Sequence, residues 1–192
     1  MKKILPSLMA VALLLSLCAC GSSPAAFSAD ASSAAVSASE TAATQEFTDS
    51  LGRTVTLPAD IQKVAVSGPL AQIYLFALCP DKLVGVSNAW DETAKAYLDE
   101  KYASLPELGQ LYGGKGELNL ETLLSSGAEV VIDVGEPKKS AAEDLDALQQ
   151  QTGIPFIHVT ATLATSGDAY RMLGHVLGMP EQAEELAEYC DT

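Results

Sequence analysis

Basic residues are scarce in this chain. Eleven Lys and Arg stand against 25 Asp and Glu over 192 residues, and the net charge is −14. No basic run is longer than two residues. Nucleic acid is therefore not an expected partner, because affinity for it depends on neutralising phosphates. Histidine is limited to His158 and His175, and no C-x-x-C or zinc spacing is present. A metal site needs several converging ligands, so neither metal nor cofactor is expected. No apolar run approaches the ~20 residues of a membrane-spanning helix. The acidic balance is read as surface solubility.

What the chain does have begins at its start. Lys2 and Lys3 precede an apolar run over 8–17 and then small residues. This is the pattern of a secretory signal over 1–19. Leu17-Cys18-Ala19-Cys20 follows, then Gly21-Ser22-Ser23. Removal of the signal takes the net charge to −16. Residues 20–45 are dominated by Ala, Ser and Thr, without periodicity. Such a segment buries too little to offset its ordering entropy and reads as a tether. Two cysteines then remain, Cys79 and Cys190, both placed on expected apolar helix faces. An exported compartment permits a disulfide, but buried free thiols are the reading here.

The folded part starts near residue 46. Phe47 and residues 55–57 flank the turn Asp49-Ser50-Leu51-Gly52, which predicts a β-hairpin. Short apolar runs at 64–67, 83–86, 130–132 and 156–159 predict buried parallel strands. Helices are expected between them. One spans 70–78, closed by Pro80, and one runs from the Asp91 cap to about Tyr102. Another starts at Asn119 and stops at Gly127, with Glu121 in its first turn. A capping box at 140–143 opens the next, which ends at Gly153. The last two cover 167–177 and the acidic stretch from Pro180 onward. The alternation predicts an α/β fold, a Rossmann-like parallel sheet flanked by helices.

Ligands of such sheets bind beyond the C-terminal strand ends. Those ends hold Ser67-Gly68-Pro69, residues 87–90 with the sole tryptophan Trp90, and residues 133–137 with Glu136. The Gly-rich loop with Tyr112 can join them. Trp90 and Tyr112 suit either a core or a ligand platform. Residues 109–116 match a phosphate loop except at Gly116, where Ser or Thr should hold magnesium. No apolar strand precedes them, so a nucleotide cradle is not expected, although Lys115 can meet an anionic ligand. Ser67 is not in a nucleophile elbow. It and His158 can be neighbours in a parallel sheet, without a visible orienting acid. Helix-dipole physics alone accounts for an acid at Glu121.

Several of these stretches together resemble a known family. Leu17-Cys18-Ala19-Cys20 resembles a bacterial lipobox, with Cys20 as the acylated residue. Asp49-x-x-Gly52-Arg53-x-Val55-x-Leu57-Pro58 and Asp81-Lys82-Leu83-Val84-Gly85 resemble the opening of substrate-binding proteins of iron-siderophore, haem and cobalamin ABC importers. So do Asn119-Leu120-Glu121-x-Leu123-Leu124 and Leu173-Gly174-x-x-Leu177-Gly178. The resemblance runs from about residue 46 to the end. It implies two α/β lobes joined by a long helix, with a solute between them and delivery to a membrane permease. It carries permease docking over to Glu121. By position it implies ligand contacts at Ser67, Gly68, Pro69, Trp90, Tyr112, Lys115 and Glu136. The implied solute is a metal chelate or corrinoid, and the implied activity is transport without covalent chemistry.

On this reading 1–19 is a lipoprotein signal, 20–45 a lipid-anchored linker and 46–178 the N-terminal lobe. Residues 179–192 begin the inter-lobe helix, and the second lobe is missing. The chain is then expected at the cell membrane, facing the extracellular side or periplasm. The rival classes are a lipid-anchored sensor or adhesion module built on the same lobe, and a nucleotide-binding α/β protein.

Overall fold

The computed structural model describes residues 43–113 and 117–192. The expected signal, Cys20 and the expected linker up to residue 42 lie outside the described residues, as does Lys115, whereas Thr44 and Gln45, expected in the linker, already belong to the first strand. Strands β1 (Thr44–Thr48) and β2 (Thr54–Pro58) form the expected antiparallel hairpin, with Phe47 opposite Val55. Alternate positions Phe47, Val55 and Leu57 are buried, and their neighbours face outward. That two-residue period makes the hairpin one-sided.

The main sheet is parallel and three-stranded. Strand β3 (Val64–Val66) pairs with β4 (Val130–Gly135), which pairs with β5 (Phe156–Thr160). All of β3 and β4 is buried, which fits strands covered on both faces. Helix α1 (Pro69–Leu78) packs on β3 and β4. Single turns α2 (Glu92–Lys95) and α3 (Glu100–Ala103) follow, then α4 (Leu120–Ser126) and α5 (Ala141–Thr152). Helix α6 (Ser166–Leu177) packs on β5 and on α7 (Pro180–Cys190). Gly174 of α6 leaves room for the Ala183 methyl of α7, so the two helices approach closely. Arg171 clasps Glu184 with Nε and Nη2 at 2.9 and 2.8 Å.

Four expectations need correction. Residues 83–86 do not form a strand ladder. They make single bridges, Val64 to Leu83 and Val86 to Glu107, and divide their bonds between two neighbours. Val84 N donates to Val64 O on one side, and Val86 bonds Pro106 O and Leu108 N on the other, so neither neighbour builds a continuous ladder with this run. Gly85 permits the close approach, since a side chain there would run into the fully buried Leu108. The helix expected over 91–102 breaks into the turns α2 and α3. Tyr97 is 87% exposed, and only Ala94, Leu98 and Tyr102 turn partly inward. An apolar face with nothing to bury does not sustain a helix this short. The capping box at 140–143 does not form. Ser140 donates instead to Asp144 Oδ2 at 2.8 Å. Cys190 is exposed at the end of α7, whose inward positions are Ala183 and Ala187. Neither thiol has a disulfide partner among the described residues, and burial pushes that of Cys79 up to about 12 against a smaller pull from Lys82.

The hairpin turn is pinned to the sheet edge by one carboxylate. Asp49 is 4% exposed. It accepts hydrogen bonds from Leu51 N, Arg53 N and Arg53 Nη1, each at 3.0 Å, and from His158 N at 3.3 Å. Ser50 N donates to His158 O at 3.0 Å, and Ser50 Oγ accepts from Thr160 N at 3.0 Å. The D-x-x-G-R stretch thus closes its own turn and satisfies the free edge of β5. Arg53 also bonds Asp146 and Phe156 O, so loss of Asp49 acts by removing the acceptor shared by three backbone N–H groups and by halving the ion pairing of Arg53. Asp49→Ala is expected to cost about 3 kcal/mol of stability, read from the urea unfolding midpoint.

Candidate functional site

The C-terminal ends of β3 and β4 open into a cleft of about 260 Å³. Its walls include Ser67, Gly68, Pro69, Tyr112, Asp133 and Glu136. The local sequence explains each placement. Ser67 follows β3 and donates its N–H to Ile132 O at 3.2 Å, so it lies opposite Asp133. Pro69 occupies the first turn of α1, where its missing N–H has no helical partner to lose. Gly135 ends β4 at φ +144, a backbone region that side chains avoid, and brings Glu136 to the exposed rim. Ser67 O accepts from Leu111 N at 2.7 Å, which draws the glycine-rich loop over the strand ends. Tyr112 is carried in with it. Its hydroxyl donates to Asp144 Oδ2 at 3.0 Å. Burial first, and Asp144 second, push this phenol above its usual range, so it stays a donor.

Beneath the cleft lies a three-strand polar relay. The Ser67 hydroxyl donates to Asp133 Oδ1. The His158 Nδ1 stands 2.7 Å from Asp133 Oδ2. Ser67, Asp133 and His158 are 2%, 8% and 1% exposed. Asp133 and His158 are direct register partners on β4 and β5. The acid therefore sits between serine and histidine. In a nucleophilic triad the histidine must sit between the serine and the acid. Ser67 has no base within this relay. Sequence reasoning placed Ser67 and His158 as possible neighbours but missed Asp133. The available signal was an acid inside the buried run 130–135, which must find partners on adjacent strands.

The remaining predicted residues are distributed around α1 and α4. Trp90 does not line this cleft. It lines a separate apolar groove of about 420 Å³ with Ile73, Phe76, Tyr97 and Leu98. Its indole N–H donates to Tyr102 O at 3.0 Å, and its ring meets Phe76 edge-on at 5.3 Å between centroids. Gln72 lies between the two regions, with its amide oxygen held by Ser87 N and Oγ at 2.7 and 2.8 Å. Glu121 is exposed in the first turn of α4. Asn119 caps that helix by accepting from Thr122 N at 3.0 Å, and Gly127 stops it at φ +69, both as expected. No group of three His, Cys, Asp or Glu among the described residues is placed to hold a metal ion.

No family model matches the sequence, and no curated protein does. Solved structures do match. An ABC transporter solute-binding protein from Sulfurospirillum deleyianum is similar at 23% identity and a TM-score of 0.65, over 76% of this chain and 46% of that one. The fold is that of a solute-binding-protein lobe. The lobe is also similar to the molybdate-bound periplasmic binding protein MolA of Haemophilus influenzae, at 18% identity and a TM-score of 0.56 over 75% and 49% of the two chains. Staphylococcus aureus SirA complexed with staphyloferrin B matches at 20% identity and a TM-score of 0.55, over 76% and 46%. The chain spans about half the length of these structures.

The loop over the lobe's cleft depends on Gly109. Its φ is +78, and an added side chain would overlap the Glu117 carbonyl oxygen. Gly113 has a similar φ of +76 with open space around it. Gly109→Ala is expected to cost about 3 kcal/mol and Gly113→Ala about 1 kcal/mol. Urea midpoints of the two variants separate backbone strain from collision.

Proposed function

We propose that this lobe is part of the solute-binding component of an ABC importer. It captures an iron complex, siderophore or haem, or cobalamin, and presents it to a membrane permease. The observation that carries this reading is the cleft at the strand ends of a solute-binding-protein lobe, lined by five of the residues expected there. Ser67, Gly68, Pro69, Tyr112 and Glu136 are the proposed contacts, and Lys115, outside the described residues, is proposed with them on its sequence position. No covalent step is assigned, because the relay offers Ser67 no base. Cys20 is the proposed lipid anchor. More than one acyl chain is needed for stable attachment, and anchoring would hold the lobe at the cell membrane, facing the extracellular side or periplasm.

Trp90 enters this reading only for a large solute. Its groove and the cleft flank the first turn of α1, where Leu70 and Ile73 are 42% and 64% exposed. A haem- or corrinoid-sized ligand is broad enough to cover that turn, and an ion such as molybdate is not. Titration with haem or cobalamin is expected to quench Trp90 emission, whereas molybdate leaves it unchanged.

Glu121 is the proposed permease contact. It is a solvated acid on a short rigid helix, outside the cleft wall. A charge at an interface rim acts on partner encounter rather than on a ligand bound elsewhere. Glu121→Arg is expected to lower importer-dependent uptake about tenfold, with solute affinity changed less than about twofold. Unchanged uptake would remove the docking role.

A further inference from the structure

We infer that Asp133 makes this cleft select solutes presenting an ammonium or other hydrogen-bond-donating group, with His158 as the positioning residue that holds the carboxylate for them. The inference rests on the proposed solute-binding role of the same cleft and adds the chemistry of its floor.

The argument starts from the lone pairs of one side chain. An ionised carboxylate accepts on about four sites. Ser67 takes one on Oδ1, and His158 takes one on Oδ2. The Asp133 side chain is 11% exposed, and the part it shows lies in the cleft wall. The remaining acceptor positions therefore serve whatever occupies the cleft. Both protein partners are buried, so the carboxylate is held in place before a ligand arrives. Such preorganisation spares the ligand the cost of ordering the group.

The state of His158 follows from its other nitrogen. Nε2 is buried and has no hydrogen-bond partner among the described residues. A hydrogen there would be a buried donor without an acceptor, the costlier arrangement. Nδ1 then carries the hydrogen and donates it to Asp133. The imidazole orients the carboxylate without cancelling its charge.

Groups of the opposite sign are present and weaker in effect. Among the described residues Lys138 also lines the cleft but is exposed, and Glu136 at the rim balances it. The N-terminus of α1 lies in the same wall and carries roughly half a positive charge. Pro69 in its first turn removes one of the N–H groups that could meet an anion. A full negative charge in a poorly hydrated floor outweighs that half charge. A bare oxyanion in this cleft would face Asp133 without a compensating cation in the floor among the described residues.

The test uses the ¹⁵N-labelled chain at pH 7, followed by NMR through the Gly68, Gly135 and Glu136 amides. Three probes are titrated: a gallium(III) tris-hydroxamate with a free ammonium arm, the same chelate with that amine acetylated, and molybdate. Gallium replaces iron so that the signals stay sharp. The ammonium chelate is expected to bind about tenfold more tightly than its acetylated twin, the size of one charge-assisted hydrogen bond. Asp133→Asn should bring the two within about twofold. His158→Leu should lower the preference, and His158→Asn, whose amide can donate from the Nδ1 position, should restore it. Equal affinity of the two chelates for the unaltered chain overturns the selection but leaves the solute-binding role standing. So does tighter binding of molybdate than of either chelate. A preference unchanged in His158→Leu removes the positioning role. If none of the probes moves these amides, the cleft is not the solute site, and the inference falls with it. The comparison on the unaltered chain decides the selection whatever the stability of the variants.

Discussion

A carboxylate on the central strand of a sheet buried on both faces must find its hydrogen bonds within the sheet. Asp133 finds them on either side, from Ser67 beside β3 and from His158 on β5. This requirement links register to chemistry. A one-residue slip of β5 against β4 would turn His158 to the opposite face and leave Asp133 unpaired. The two partners also set how the strands end. Ser67 bonds the glycine-rich loop through its carbonyl, and His158 bonds the hairpin turn through both of its backbone polar groups. The cleft above and the hairpin at the sheet edge are thus held by the same three residues.

Around that core the molecule separates rigid from permissive positions. The helix pair α6–α7 is close-packed at Gly174 and Ala183 and clasped by Arg171. The cleft side is built differently, from strand ends, the exposed first turn of α1 and a loop anchored by a few backbone bonds. Exposed apolar groups gather there, at Leu70, Ile73 and Tyr97. Binding surfaces need such freedom at their rims and stiffness beneath, since affinity depends on ordering as few groups as possible.

Much of the architecture was legible in the residues. Buried β-branched runs announced β3, β4 and β5, and the stops at Gly127, Gly153 and Gly178 fell where left-handed backbone was needed. Two of the errors share one cause. Residues 83–86 look like a strand, and residues 91–102 look like a capped helix, by local pattern alone. In each case the surroundings decided the outcome. Residues 83–86 bond Val64 on one side and residues 106–108 on the other, and Tyr97 stays 87% exposed. The capping box at 140–143 failed for a local reason, because Ser140 bonds the Asp144 side chain four residues on, which Tyr112 also contacts.

By itself, the sequence determined the class of fold, the order of the three sheet strands and the strand ends that border the cleft. These follow from periodicity and turn chemistry, which act over a few residues. Only the tertiary structure decided which side chains share that end. It brought Ser67, Tyr112 and Glu136 into one cleft, set Trp90 apart in another groove and raised Asp133 from an anonymous strand residue to the cleft floor. The reason is physical. Asp133 and Ser67 are 66 positions apart, Asp133 and His158 25 apart, and strand register alone closes those distances.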